Sequence, residues 1–222
     1  MNNDFEIIRS ARRTRLAFRF RPSDGVLEVL APLNLQEKRI TAAIRKNKDA
    51  LEKLHQKVRK KMQDIPVYKF EEGEFFLYRG SWYPLKFSRR VLAFDNAFLL
   101  PPGNEDEIKR SLEKLYRKLA AACLPDKVRE KAAACGLTIR DIRINGAVGR
   151  WGSCSSSGNI NLSWRLILCP DEIIDYVICH ELAHRLELNH SDAFWQEVAK
   201  LCPDYQEREN FLRENEHRYR LW

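Results

Sequence analysis

No stretch of the 222-residue chain strings together the roughly 18–20 apolar residues that a membrane-spanning helix needs, which excludes an integral helical membrane protein. Glycine and proline are sparse, nine of each, so collagen-like and low-complexity architectures are excluded too. Met1-Asn2-Asn3-Asp4 offers no basic stretch with an apolar one behind it. No secretory leader is read there, and the expected address is cytoplasmic. The six cysteines, Cys123, Cys135, Cys154, Cys169, Cys179 and Cys202, form no C-x-x-C pair. That excludes the usual four-thiolate zinc spacing and a thioredoxin-like motif, and free thiols are expected. Methionine is nearly absent, with Met1 and Met62 alone.

What is present suffices for a folded core: 44% apolar, 32% charged and 10% aromatic residues. The net charge of +8 is unevenly spread. Residues 1–62 hold 16 Lys and Arg against 7 Asp and Glu, a balance of +9, while the rest hold 23 against 24. That asymmetry suggests two parts with different tasks.

Short β-branched and aromatic runs at 5–9, 16–20 and 26–30, with Pro22-Ser23-Asp24-Gly25 between the last two, read as an antiparallel meander. From 35 to 62 the period changes. Ile40, Ile44, Leu51, Leu54 and Val58 make one amphipathic helix with lysines and arginines on its other faces. Strand-like text returns over 66–101. Pro101-Pro102-Gly103 then breaks the chain, and Asn104 with Glu107 has capping-box spacing. The expected organisation is α+β: a β-rich N-terminal domain over 1–103 and a second domain over 104–222. The second reads helix (105–135), strands (138–168), then helices. Its clearest strand is 159–168, with Ile160, Leu162, Trp164, Leu166 and Leu168 on one face and Asn159, Asn161, Ser163 and Arg165 on the other. Pro170, Asp171 and Glu172 open a helix whose core side runs through Ile173, Ile174, Val177, Ile178, Leu182 and Leu186.

That helix carries His180-Glu181-Leu182-Ala183-His184. Four helical steps bring the imidazoles round to within about 40° of each other, one turn apart, so both can point at one ion. This is the spacing of an H-E-x-x-H zinc site. Glu181 lies on a neighbouring line of the helix, too far round to ligate and close enough to touch a metal-bound water. Metal hydrolysis needs that separation: neutral ligands, a water acidified by the cation, and a carboxylate to take the proton.

His190 follows six residues after His184 and completes the span of H-E-x-x-H-x-x-G-x-x-H, but Glu187 stands at the glycine position. No methionine lies downstream for a Met-turn, so a metzincin is excluded. A third ligand from a later helix is the alternative, with Glu197, Glu207 and Glu209 available. His190 is preferred because the chain must turn directly after the helix and bring it back.

The runs Arg150-Trp151-Gly152-Ser153-Cys154, Gly158-Asn159-Ile160-Asn161-Leu162, Trp164-Arg165-Leu166, Tyr176-Val177-Ile178, Asn189-His190-Ser191 and Phe194-Trp195, together with the H-E-x-x-H, resemble the YgjP-like metal-dependent hydrolases. These are relatives of SprT-type and other zincin metallopeptidases. The resemblance covers roughly 138–215. It implies a minimal zincin-like domain of helices packed on a small sheet, zinc as cofactor on His180, His184 and His190, and Glu181 as base. Cys179 and Ser163 depart from the usual residues without touching the ligands.

The expected function is therefore zinc-dependent hydrolysis of a peptide or protein, with Glu181 as general base. A phosphoanhydride hydrolase acting on nucleotides and a DNA-associated protein with a zinc centre are the alternatives. Both would use the basic residues 35–62 to draw a phosphorylated ligand or nucleic acid, unless those are simply a solvated face. Arg150 reads equally as a holder of a substrate carboxylate or oxyanion and as a solvated or salt-bridged arginine. The polar face of 159–168, with Asn161, is expected beside the cleft, pairing an extended peptide as an added strand. Trp151 reads as a packing anchor, His217 and Tyr219 as surface residues, and Cys154 as no nucleophile, since no base is paired with it.

Overall fold

The computed structural model describes residues 5–21, 24–64, 66–89 and 91–219, so the readings of residues 1–4 and of Pro22 and Ser23 lie outside them. Among the described residues the chain forms six α-helices and three small sheets, an α+β architecture. It divides into two compact units, Met1–Pro66 and Val67–Trp222. The break expected at 101–104 lies inside the second unit, where Leu85, Phe98 and Leu100 share a core with Ile108, Leu112 and Tyr116.

In the first unit, β1 (Phe5–Ser10), β2 (Ala17–Phe20) and β3 (Leu27–Pro32) form a sheet of order β1-β3-β2. β1 runs parallel to β3 and β2 antiparallel to it, so the expected antiparallel meander is not what forms. The reason lies in β3: Val29, Leu30 and Ala31 are buried in succession, as a central strand covered on both faces requires. The single helix expected over 35–62 is two, α1 (Glu37–Lys46) and α2 (Lys48–Gln63). Asn47 leaves helical geometry (φ −104°, ψ 16°), and its side-chain amide donates to the Ala43 carbonyl at 2.8 Å, the backbone competition typical of asparagine. Ile40 and Leu51 face the interior, while Arg45, Lys46, Lys48, Lys53, Lys57, Arg59 and Lys60 stand exposed.

In the second unit, β4 (Phe75–Tyr78), β5 (Ser81–Phe87), β6 (Ala93–Phe94) and β7 (Phe98–Leu100) form a sheet of order β4-β5-β7-β6. α3 (Glu105–Ala134) follows, opened by a reciprocal cap. The Glu107 amide donates to Asn104 Oδ1 at 3.1 Å, and the Asn104 amide donates to Glu107 Oε2 at 2.9 Å. Next come β8 (Asp141–Asn145), β9 (Gly152–Cys154) and β10 (Asn159–Ser163), in the order β8-β10-β9.

The strand expected to run to 168 stops at Ser163, and Trp164–Leu168 winds into a 3-10 turn with all five residues buried. Ser163 and Arg165, expected on a polar face, are buried because they find partners inside. The Ser163 hydroxyl donates to the Ala147 carbonyl at 2.7 Å. Arg165 lies 4.4 Å over the Trp164 ring and donates to the Gly146 carbonyl at 3.2 Å. β10 is also internal, bonded to β8 on one side and β9 on the other. It has no edge to offer a peptide, so the added-strand pairing expected there fails.

α4 (Asp171–Ala183), α5 (Asp192–Leu201) and α6 (Tyr205–Tyr219) complete the unit. The start of α4 is clamped by the β4–β5 hairpin. Its two turn residues, Arg79 (φ 48°) and Gly80 (φ 77°), both adopt the left-handed region that a two-residue type I′ turn demands. Their amides donate to the carbonyls of Ile167 (2.9 Å) and Leu168 (3.0 Å), and Pro170 abuts Gly80. The Arg79 guanidinium forks onto the Asp171 carboxylate in the first turn of α4. α4 ends at Ala183, so Leu186, expected on its core side, is exposed, whereas Tyr219, expected at the surface, is buried. No helix among the described residues is long and apolar enough to cross a membrane.

Candidate metal centre

α4 is buried along most of its length, with Ile173, Ile174, Val177, Ile178, Leu182 and Ala183 in the core. It reaches its C-terminus with His180 and His184 one turn apart. The chain then turns sharply: the amides of Leu186 and Glu187 both donate to the Ala183 carbonyl at 2.9 Å, and Arg185 reaches the Ser156 carbonyl at 2.8 Å. Asn189 Oδ1 accepts from the Ser191 amide (3.1 Å), and the Ser191 hydroxyl caps α5 by accepting from Phe194 N (3.4 Å). These bonds carry His190 back across the end of α4.

Ligand atoms of His180, His184 and His190 all lie within 4.8 Å of one another. Nε2 of His180 and Nε2 of His190 are 3.2 Å apart. Two nitrogens on a tetrahedral zinc, with bonds of about 2.0–2.1 Å, stand about 3.3 Å apart. His184 Nδ1 sits 3.0 Å from the Glu187 carbonyl, which fixes the proton there and leaves Nε2 with a lone pair, the usual support of a metal-binding imidazole. Burial, with His184 and His190 adding to it, pushes His180 down to about 4. Burial lowers His184 as well, against the Glu187 carbonyl. Cationic imidazoles repel a metal and neutral ones bind it, so the donor set fits a divalent cation such as zinc. Among the described residues this converging group contains none of Glu197, Glu207 or Glu209, and Glu197 pairs with Lys200 at 2.6 Å.

Beneath the three rings lies Phe194, fully buried, its centroid 4.4 Å from His184, 4.7 Å from His190 and 5.0 Å from His180. It holds each imidazole in place through packing alone. Phe194→Ala is expected to weaken metal retention about 10–100-fold, the usual cost of removing a residue that orients ligands. Competition against a chromophoric chelator measures it, and unchanged affinity would show that the rings hold themselves.

Glu181 stands outside the donor group. It is 5% exposed, and burial pushes its carboxyl up to about 7 against the opposing pull of Arg150. Its carboxylate lies flat against Gly152 of β9: a Cβ there would come within 2.5 Å of Oε1 and 2.8 Å of Cδ. Beside Glu181 and His180 opens a cleft of about 220 Å³ walled by Arg150, Trp151, Tyr176, Val177 and Leu212. Trp151 also packs on the core. Asn161 is not among the residues lining that cleft; its amide lies 3.4 Å from Ser153 Oγ across the β10–β9 pair. Cys154 is half-buried, and burial, with Glu181 adding to it, raises its thiol, the opposite of an activated nucleophile.

Gly152 and Phe194 escaped the sequence reading as parts of this site. The glycine's signal is a residue without Cβ inside a strand, which marks close approach by a neighbour. Phe194 has no signal as part of the site beyond the apolar face of α5 and its place in the Phe194-Trp195 run.

No curated protein matches the chain. Among solved structures, the crystal structure of the metallopeptidase zymogen of Pyrococcus abyssi abylysin aligns with 42% of this chain and 95% of its own, at 24% identity and a TM-score of 0.38. The family described as YgjP-like, metallopeptidase domain, matches residues 14–215. The chain belongs to the YgjP-like metallopeptidase family.

Proposed function

We propose that the protein is a zinc-dependent hydrolase of the peptidase type, with His180, His184 and His190 as metal ligands and Glu181 as general base. The observation that carries this is the convergence of three imidazoles beside a buried carboxylate that is not one of the converging donors. Helices packed on the small β8-β10-β9 sheet suit the minimal zincin arrangement that the family resemblance implies. Zinc bound there supplies Lewis acidity toward a substrate carbonyl. Glu181 takes a proton from the attacking water and passes it to the departing amine, the task of a general base beside the metal. In its sheet, β9 lies at the edge with Gly152 against Glu181, which leaves that strand rather than β10 to align an extended substrate. Arg150 stands at the cleft as a substrate contact, while Asn161 keeps only an indirect place, through Ser153 of β9.

Gly152→Ala tests the seat of the base. The new methyl displaces the Glu181 carboxylate, and a shift of this order is expected to lower hydrolysis about 100-fold while zinc content is unchanged. Full activity in the variant would show that the carboxylate does not act from this position.

Among the described residues, Arg150 is the one Lys or Arg lining the cleft, which suits a peptide better than a triphosphate. Zinc-loaded protein incubated with unfolded protein and with nucleoside triphosphates separates the two readings. The unfolded protein is expected to be cut, and the Glu181→Gln variant is expected to spare it. Cleavage of the triphosphates alone would favour the phosphoanhydride reading. The exposed cations of α1 and α2 support the DNA-associated reading only if duplex binding falls steeply with salt and is lost when lysines in 45–61 are neutralised.

A further inference from the structure

Arg150 lines the cleft, is exposed, and forms no salt bridge among the described residues. The loop that presents it is tied at three points to β10 and the 3-10 turn. The Ser163 hydroxyl holds the Ala147 carbonyl (2.7 Å), Arg165 holds the Gly146 carbonyl (3.2 Å), and the Ser163 amide holds the Trp151 carbonyl (2.8 Å). These bonds fix the backbone that presents Arg150 at the cleft, and a guanidinium fork matches a carboxylate.

Among the described residues the rest of the cleft, apart from Glu181 and His180, is mainly apolar and aromatic: Trp151, Tyr176, Val177 and Leu212 form its walls. Its volume of about 220 Å³ falls below the roughly 300–1,000 Å³ of sites that enclose a drug-sized ligand, so it has room for a single residue. A residue seated there meets both the reacting carboxylate, Glu181, and the Arg150 guanidinium, which line the same cleft. An apolar residue that brings its own carboxylate to a guanidinium beside the reacting group is the chemistry of a chain's last residue.

We propose that the cleft takes the C-terminal apolar residue of a peptide, with Arg150 holding its free α-carboxylate, so that the protein removes one residue at a time from that end. This rests on the hydrolase reading above. One water is consumed at the last peptide bond. Its oxygen joins the penultimate carbonyl carbon, the C–N bond breaks, and the proton taken by Glu181 goes to the departing amine. A shortened peptide and a free amino acid result, with no co-reactant. An acidic side chain would bring the same carboxylate from a second source.

Three probes distinguish these sources on the full-length, zinc-loaded protein: N-acetyl-alanyl-leucine, its C-terminal amide, and N-acetyl-alanyl-glutamic acid α-amide. Binding is measured on the Glu181→Gln variant and hydrolysis on the wild type. The free acid is expected to bind, and to turn over, at least about tenfold better than either amide, the worth of one charge-assisted pair. Arg150→Ala should erase that preference mainly through KM, and Arg150→Lys should restore part of it. Equal binding of acid and leucine amide, a glutamyl amide as good as the free acid, or a preference that survives Arg150→Ala each overturns the proposal. Glu181-dependent hydrolysis of acid and amide alike sinks this inference alone. The absence of Glu181-dependent hydrolysis of any peptide sinks the hydrolase reading with it.

Discussion

Glu181→Gln is expected to keep its fold and its zinc while peptide hydrolysis falls about 10²–10⁴-fold, the usual loss when a positioned base is removed. Glutamine preserves the size and shape that Gly152 and the α4 environment accommodate, and removes only the capacity to take a proton. The native carboxyl is buried, and burial pushes it above the ordinary carboxylate range. The neutral amide costs less to bury than a carboxylate, so unfolding temperature should hold or rise. Zinc analysis and peptide hydrolysis on the same preparation check both halves. Loss of zinc together with activity would make Glu181 a ligand or a support of one. Intact activity would place the reaction elsewhere on the chain.

The histidines should fail differently. His180→Ala or His184→Ala is expected to remove metal and activity together, since two imidazoles one helical turn apart are the core of the clamp. His190→Ala should weaken zinc retention more than Glu197→Ala or Glu209→Ala does. Its Nε2 lies 3.2 Å from that of His180, whereas Glu197 is engaged with Lys200. Zinc affinity across the five variants gives the order. A larger effect of a glutamate than of His190 would make the third ligand a carboxylate and the assignment of His190 wrong.

Much of this centre was legible because its determinants are local. A four-residue spacing on an apolar helix puts His180 and His184 on one face whatever the rest of the chain does. The turn that returns His190 follows within six residues, secured by Asn189 and Ser191 at short range. The cap of α3 by Asn104 and Glu107 was legible for the same reason. What the sequence hid depends on distant partners. Alternation over 159–168 looked like one long strand, but Arg165 found Trp164 and the Gly146 carbonyl, and the backbone coiled after Ser163. Strand order was equally invisible: nothing local says that β3 inserts between β1 and β2, or that β10 lies between β8 and β9. Gly152 matters to the site only through Glu181, twenty-nine positions on in the sequence, and Phe194 only through three rings that precede it in the chain.

Metal content is the most direct measurement of the central claim. Elemental analysis of freshly purified protein, repeated after chelation and reconstitution with zinc, should return one zinc per chain. The His180→Ala and His184→Ala variants should return none under the same treatment. A wild-type protein that holds no zinc after reconstitution, or one whose zinc survives loss of both histidines, would contradict the account.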